Sequence, residues 1–153
     1  IPDRFGIIYF DELEKILNFK EELEGTSVDT IRMSSAYILL LLSYLRLNMN
    51  RSSTSPLCCY RHYKTISDET GLSERYVGRI VEILDALKII RSKAMRRIKD
   101  NTSTREKYIT TPKVFADYRH FTKDSYGNQV IDQTYDCDEE IEKQIKLLEN
   151  NNI

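Results

Sequence analysis

Residues 67–90, SDETGLSERYVGRIVEILDALKII, constrain the fold more than any other stretch of the chain. A polar, helix-prone segment ends at Gly71. Without a Cβ, this residue can leave a helix through a left-handed conformation that costs other residues about 1 kcal/mol or more. Leu72 follows and fills the angle between two helices, and Ser73 stands where it can cap the second by accepting from its first exposed amides. Glu74 lies near the positive end of that helix dipole. Beyond it, Val77, Ile80, Val81, Leu84 and Leu87 recur at offsets of 3, 4, 7 and 10, which makes one inward stripe. The pattern predicts a short helix over KTISDETG, a three-residue turn, and a longer helix from Ser73 to about Lys88.

The opposite face of the longer helix carries Arg75, Tyr76, Gly78 and Arg79 in its first two turns. Two helices joined by a short glycine-containing turn meet the physical requirement of a helix-turn-helix. This is the side such a motif turns toward a major groove, where guanidiniums suit guanine edges and phosphates. Gly78 costs roughly 1 kcal/mol of helix propensity relative to Ala. Its bare α-carbon serves either close approach to a phosphate backbone or packing against the neighbouring helix. Tyr76 has two readings as well, stacking on or reaching a phosphate, or half-burial against the first helix.

A basic hairpin follows. Ile89 to Lys99 reads as one strand, DNTST (100–104) as the turn, and Glu106 to Thr111 as the return before Pro112. Strand alternation puts Arg91, Lys93, Met95, Arg97 and Lys99 on one face, and Ile90, Ser92, Ala94, Arg96 and Ile98 on the other. Four of the five positions on the first face are cationic, and Arg105 and Lys107 carry the charge into the return.

Composition matters because the charge is uneven. The 153-residue chain has 23 Lys+Arg against 24 Asp+Glu, a formal net charge of -1 that looks unsuited to nucleic acid. By segment, residues 1–32 carry -4, residues 33–72 carry +2, residues 73–113 carry +6 and residues 114–153 carry -5. An acidic frame encloses a basic centre, which is the asymmetry a local electrostatic footprint needs.

Around that centre, Gly6 to Phe10 is a short β-prone run, followed by a helical pattern from Asp11 to about Glu24 that Gly25 can end. Ser34 or Ser35 caps a helix whose body, YILLLLSYLRL, is apolar on nearly every face and is expected to be buried all round, as the central beam of a core or at a subunit contact. RSSTSP (51–56) reads as a loop and Cys58 to Tyr63 as a short strand. KVFADYRHF reads as a short helix, and residues 122–136 as irregular or weakly β. Asp138 to Asn150 reads as an acidic helix with Ile141, Ile145 and Leu148 on one face.

From Ser34 through Pro112, about half the chain, this order of elements resembles the winged-helix superfamily. Within it, CCYRHYKTISDETGLSERYVGRIVEILDALKII looks like the N-terminal DNA-binding domains of plasmid replication initiators and phage replisome organisers, and is also similar to multiple-antibiotic-resistance-type regulators. The resemblance implies that Ser73, Arg75, Tyr76 and Arg79 face bases and nearby phosphates. It also implies that Arg96, Arg97, Lys99 and Arg105 lie along a wing at the adjacent groove. The tail after Pro112 departs from the regulators, lacking the long apolar helix with which those proteins dimerise.

The expected fold is mainly α with a small β-hairpin, a winged helix-turn-helix with flanking N- and C-terminal helices. Its parts are a strand-and-helix extension (1–32), the DNA-binding unit (33–113) and an acidic extension (114–153). The expected function is sequence-dependent duplex DNA binding in transcription regulation or in plasmid or phage replication control. Helix 73–88 would enter the major groove, and the wing, 91–107, would lie on backbone or minor groove. The candidate contacts are Ser73, Arg75, Tyr76, Arg79, Arg91, Lys93, Arg96, Arg97, Lys99, Arg105 and Lys107. A protein-interaction module on the same scaffold is the alternative.

Other classes find little support. Cys58, Cys59 and His62, with Cys137 or His120, do not have the spacing of a structural zinc site. No nucleophile elbow, phosphate-binding glycine loop or zinc-protease motif occurs, so neither an enzyme nor a cofactor is expected. No apolar run reaches the ~20 residues of a membrane helix. Three cysteines, two of them adjacent, make no disulfide framework and point to a reducing cytoplasm. The apolar excess of YILLLLSYLRL favours a homodimer reading two half-sites about one helical turn apart.

Overall fold

A computed structural model describes residues 7–52, 55–94 and 113–150. Helix α1 (Phe10–Leu17) starts where Tyr9 N donates to Glu12 Oε1 at 3.1 Å, and after a break at Asn18 the short α2 (Phe19–Glu22) follows. The strand expected over residues 6–10 does not form at residues 7–9, because this capping commits the chain to the helix; Gly6 lies outside the described residues. Helix α3 (Ser35–Leu47) is capped by Ser34, whose Oγ accepts from Ala36 N at 3.3 Å. It packs on α1, and on α4, α5 and β2 defined below. Ile38, Leu41, Leu42 and Leu45 are buried, yet Tyr37 (44 %) and Leu40 (45 %) remain exposed. Within one chain, then, the core does not cover α3 all round, since those neighbours leave the side with Tyr37 and Leu40 open.

Strand β1 (Asn50–Ser52) turns into β2 (Ser55–Arg61), with Arg51 opposite Pro56 and a bulge between Asn50 and Arg51. The stretch expected as a loop over 51–56 thus belongs to a hairpin in its described part. Helix α4 (Tyr63–Thr70) ends at Gly71, at φ +79° and ψ 0°. Gly71 N donates to Ser67 O at 2.9 Å and Leu72 is buried beyond it. Helix α5 (Glu74–Ala86) follows, capped by Ser73. Its buried stripe contains Val77, Ile80, Val81 and Leu84 as expected, with Ile83 added.

Strand β3 (Ile90–Ala94) pairs with β4 (Lys113–Asp117), and the sheet runs β1-β2-β4-β3 with every pair antiparallel. Phe115 stands opposite both Cys59 and Ser92. Two expectations are corrected here. KVFADYRHF begins with a strand, not a helix, and the partner of β3 is Lys113–Asp117; the return proposed at 106–111 lies outside the described residues. The physical reason is burial on both faces. Phe115 enters the main core while Val114 and Ala116 enter a second cluster, so the run has no polar alternation to mark it as a strand.

A second sheet pairs β5 (Phe121–Lys123) with β6 (Gln129–Ile131) around a turn holding Gly127 at φ +81°. The chain then enters α6 (Cys137–Asn150). The fold is mixed, with helices and a small antiparallel sheet.

The main core unites Ile16, Phe19 and Leu23 with Ile38, Leu42, Ile66, Ile80, Leu84 and Phe115. On the other face of the sheet, Cys137, Ile141 and Ile145 of α6 pack with Cys58, Val114 and Ala116. Both terminal segments are therefore packed onto the centre, and a boundary at 113/114 would fall inside β4. Arg46 locks α1, α3 and β4 together, its Nη2 lying 2.6 Å from Glu12 Oε2 and its Nε 2.9 Å from Asp117 Oδ2, all three side chains buried.

Candidate nucleic-acid interface

The site is built on the first two turns of α5. Ser73 Oγ accepts from Tyr76 N at 3.2 Å, which fixes where the helix begins and therefore which residues face outward. Val77, Ile80 and Val81 hold the inner face in the core, so Arg75 and Tyr76 are exposed and Arg79 is half-buried at the rim. Arg46, Arg61, Arg91 and Arg119 each hold a carboxylate. Arg75 and Arg79 hold none among the described residues, and they lie one helical turn apart. Two guanidiniums without a counter-ion among the described residues are an arrangement suited to external anions.

Tyr76 is 43 % exposed, and its ring lies 6.2 Å from that of Tyr37 on α3, tilted by 46°. Sequence reasoning missed Tyr37; its available signal was a tyrosine at the start of an otherwise aliphatic helix. Of the two readings of Tyr76, the structure gives partial exposure with aromatic support. Gly78 faces the start of α4, where a Cβ would lie 3.4 Å from Tyr63 Cε2, an ordinary van der Waals contact. Tyr63 in turn stacks on Phe115 at 6.4 Å, and its hydroxyl accepts from Lys113 Nζ at 2.6 Å.

Arg91 and Lys93 share one face of β3, as the alternation predicts, but that face looks toward α6. Arg91 Nε donates to Asp138 Oδ1 at 2.7 Å, its Nη1 lies 3.2 Å from Asp85 Oδ2, and Lys93 pairs with Glu142. The hydrogen bond to Asp138 holds the Arg91 guanidinium above its ordinary pKa, against the effect of burial. These two cations are thus satisfied internally, by carboxylates of α5 and α6. Arg96, Arg97, Lys99, Arg105 and Lys107 lie outside the described residues.

The thiols form no reactive centre. Cys58, Cys59 and Cys137 are buried, and that burial pushes each up to about 12. No cluster of three His, Cys, Asp or Glu side chains suited to a metal occurs among the described residues. His62 is exposed just before α4, and His120 lies apart from it, 3.4 Å from Asp132 Oδ2. Among the described residues no helix is long and apolar enough to cross a membrane. Comparison of the chain with protein-family models, with curated proteins and with solved structures finds no match in any of the three.

Proposed function

We propose that the protein is a winged-helix protein that binds duplex DNA in a sequence-dependent way, without a catalytic step or a cofactor. Helix α5 enters the major groove with Arg75, Tyr76 and Arg79, and Ser73 sets its first turn. The observation that carries this reading is the pair of arginines on the outer face of α5, without a carboxylate partner among the described residues, directly after the left-handed turn at Gly71. The element order supports it, since α3, β2, α4, α5, β3 and β4 follow one another as a winged helix requires, with β4 between β2 and β3. The basic residues Arg96, Arg97, Lys99, Arg105 and Lys107 fall in sequence between β3 and β4, where the wing of such a fold belongs.

The role we propose is transcription regulation or control of plasmid or phage replication, in a cytoplasmic protein acting as a homodimer. Exposure of Tyr37, Leu40 and Tyr76 favours the second reading, a protein-interaction surface at the same end of the fold. Selection of bound duplexes from a random pool at near-physiological salt separates the two. The proposal expects an enriched consensus from the parent chain, and no enrichment at the same salt when Arg75→Ala and Arg79→Ala together remove both guanidiniums from the helix. A palindrome would indicate a dimeric regulator, and direct repeats an initiator loading along an origin. Recovery of no enriched sequence would overturn the reading.

A further inference from the structure

Helix α6 matches the charge of the strand beneath it. Arg91 is opposite Ala116 and Lys93 opposite Val114, so the two cations share the sheet face on which α6 packs. Asp138 meets Arg91 and Glu142 meets Lys93. The spacings agree: four residues of helix rise ~6 Å and two residues of strand ~6.6 Å. The network also extends beyond this pair of elements. Asp85 of α5 takes Arg91 Nη1 at 3.2 Å, and the same oxygen accepts from Ser92 N at 3.1 Å. β3 is an edge strand, and this carboxylate occupies one amide of its edge. One guanidinium therefore joins α5, β3 and α6.

We propose that α6 is a positioning brace for the DNA-binding surface, setting β3 against α5 through Asp138–Arg91–Asp85 and Glu142–Lys93. Arg91 and Lys93 are positioning residues here, not phosphate contacts. The inference rests on the duplex-binding reading of α5. The ion pairs are partly exposed, which makes each weak alone. The apolar contacts of Cys137, Ile141 and Ile145 hold the helix down, and the ion pairs fix its register on the strand.

Reciprocal charge exchange tests the brace in the whole chain. Lys93→Glu should lower duplex affinity about tenfold by setting two carboxylates face to face, and adding Glu142→Lys should restore it to within about twofold. Glu139→Lys, made instead on an exposed residue of the same helix that pairs with Lys143, changes the net charge equally and should not restore it. The double exchange should also keep the salt dependence of the parent chain, because no phosphate contact is lost. Failure of Glu142→Lys to rescue, or equal rescue by Glu139→Lys, overturns the brace.

If the parent chain shows no salt-dependent duplex binding, the DNA reading fails, and thermal midpoints of the same variants judge the tie alone. A fall with Lys93→Glu that Glu142→Lys reverses and Glu139→Lys does not keeps the tie of α6 to β3. Unchanged midpoints overturn it.

Discussion

Replacing Arg46 by Met should expose how the N-terminal segment is fastened. Arg46 Nη1 donates to Ile7 O at 2.8 Å and to Glu12 Oε1 at 2.7 Å, and Nη2 donates to Glu12 Oε2 at 2.6 Å. Nε and Nη2 reach the two oxygens of Asp117 at 2.9 and 3.0 Å. Burial works to discharge the guanidinium, and the hydrogen bonds to Glu12 and Asp117 outweigh it, holding Arg46 well above its ordinary pKa. Burial pushes the Asp117 carboxyl above the usual carboxylate range, against the pull of Arg46.

Met keeps much of the volume and removes the cation, leaving two carboxylates buried without it. Breaking such a group costs about 3–5 kcal/mol, a large fraction of the ~5–15 kcal/mol that holds a typical domain. At roughly 2 kcal/mol per molar urea, the unfolding midpoint followed by circular dichroism should drop by about 2 M. The pH dependence has a definite sign. Without Arg46, burial acts on the Asp117 carboxyl against only the weaker hydrogen bond from Arg119 N and holds its folded pKa further above the unfolded one, so the folded state gains protons first as pH falls. The deficit of Arg46→Met should therefore shrink between pH 7 and pH 4, and adding Glu12→Gln and Asp117→Asn should recover part of it at pH 7. A loss under about 1 kcal/mol at pH 7, or one that grows on acidification, would show that Arg46 does not hold two buried carboxylates.

Two further outcomes follow from local geometry. A Cβ added at Gly71 would meet no heavy atom within 4 Å, and φ there is +79°, so Gly71→Ala meets only backbone strain. It should cost about 1 kcal/mol, read as a thermal midpoint ~2–4 °C lower, and an unchanged midpoint would contradict the left-handed turn. For the thiols, burial raises Cys58, Cys59 and Cys137 from 9.0 to about 12. Stability from each is present below pH 9 and lost as pH rises toward 12, at up to about 1.4 kcal/mol per pH unit per thiol. A thiol reagent at pH 8 should label none of the three until urea unfolds the chain, and rapid labelling of the folded protein would contradict their burial.

What was legible in the sequence was what local chemistry decides. Ser34 and Ser73 cap helices, Gly71 turns left-handed, and the stripe on α5 packs inward, each within a few residues of its signal. β4 was illegible because Val114, Phe115 and Ala116 are buried on two faces by partners distant in sequence. Arg46 reads in sequence as an interruption of an apolar helix. Its partners lie 34 and 71 residues away, so no periodicity announces them. The alternation correctly grouped Arg91 with Lys93, but what covers their face is α6, more than 40 residues downstream. At the candidate site, Arg75, Tyr76 and Arg79 were legible because one helix presents them, whereas Tyr37 comes from another.

Duplex affinity as a function of salt tests whether α5 carries a DNA-binding surface. Binding should weaken by orders of magnitude between ~50 and ~200 mM salt, and Arg75→Gln and Arg79→Gln, where each guanidinium meets a phosphate, should each reduce the log–log slope by about 0.9. No binding at low salt, or a slope that both substitutions leave unchanged, would contradict duplex binding through α5.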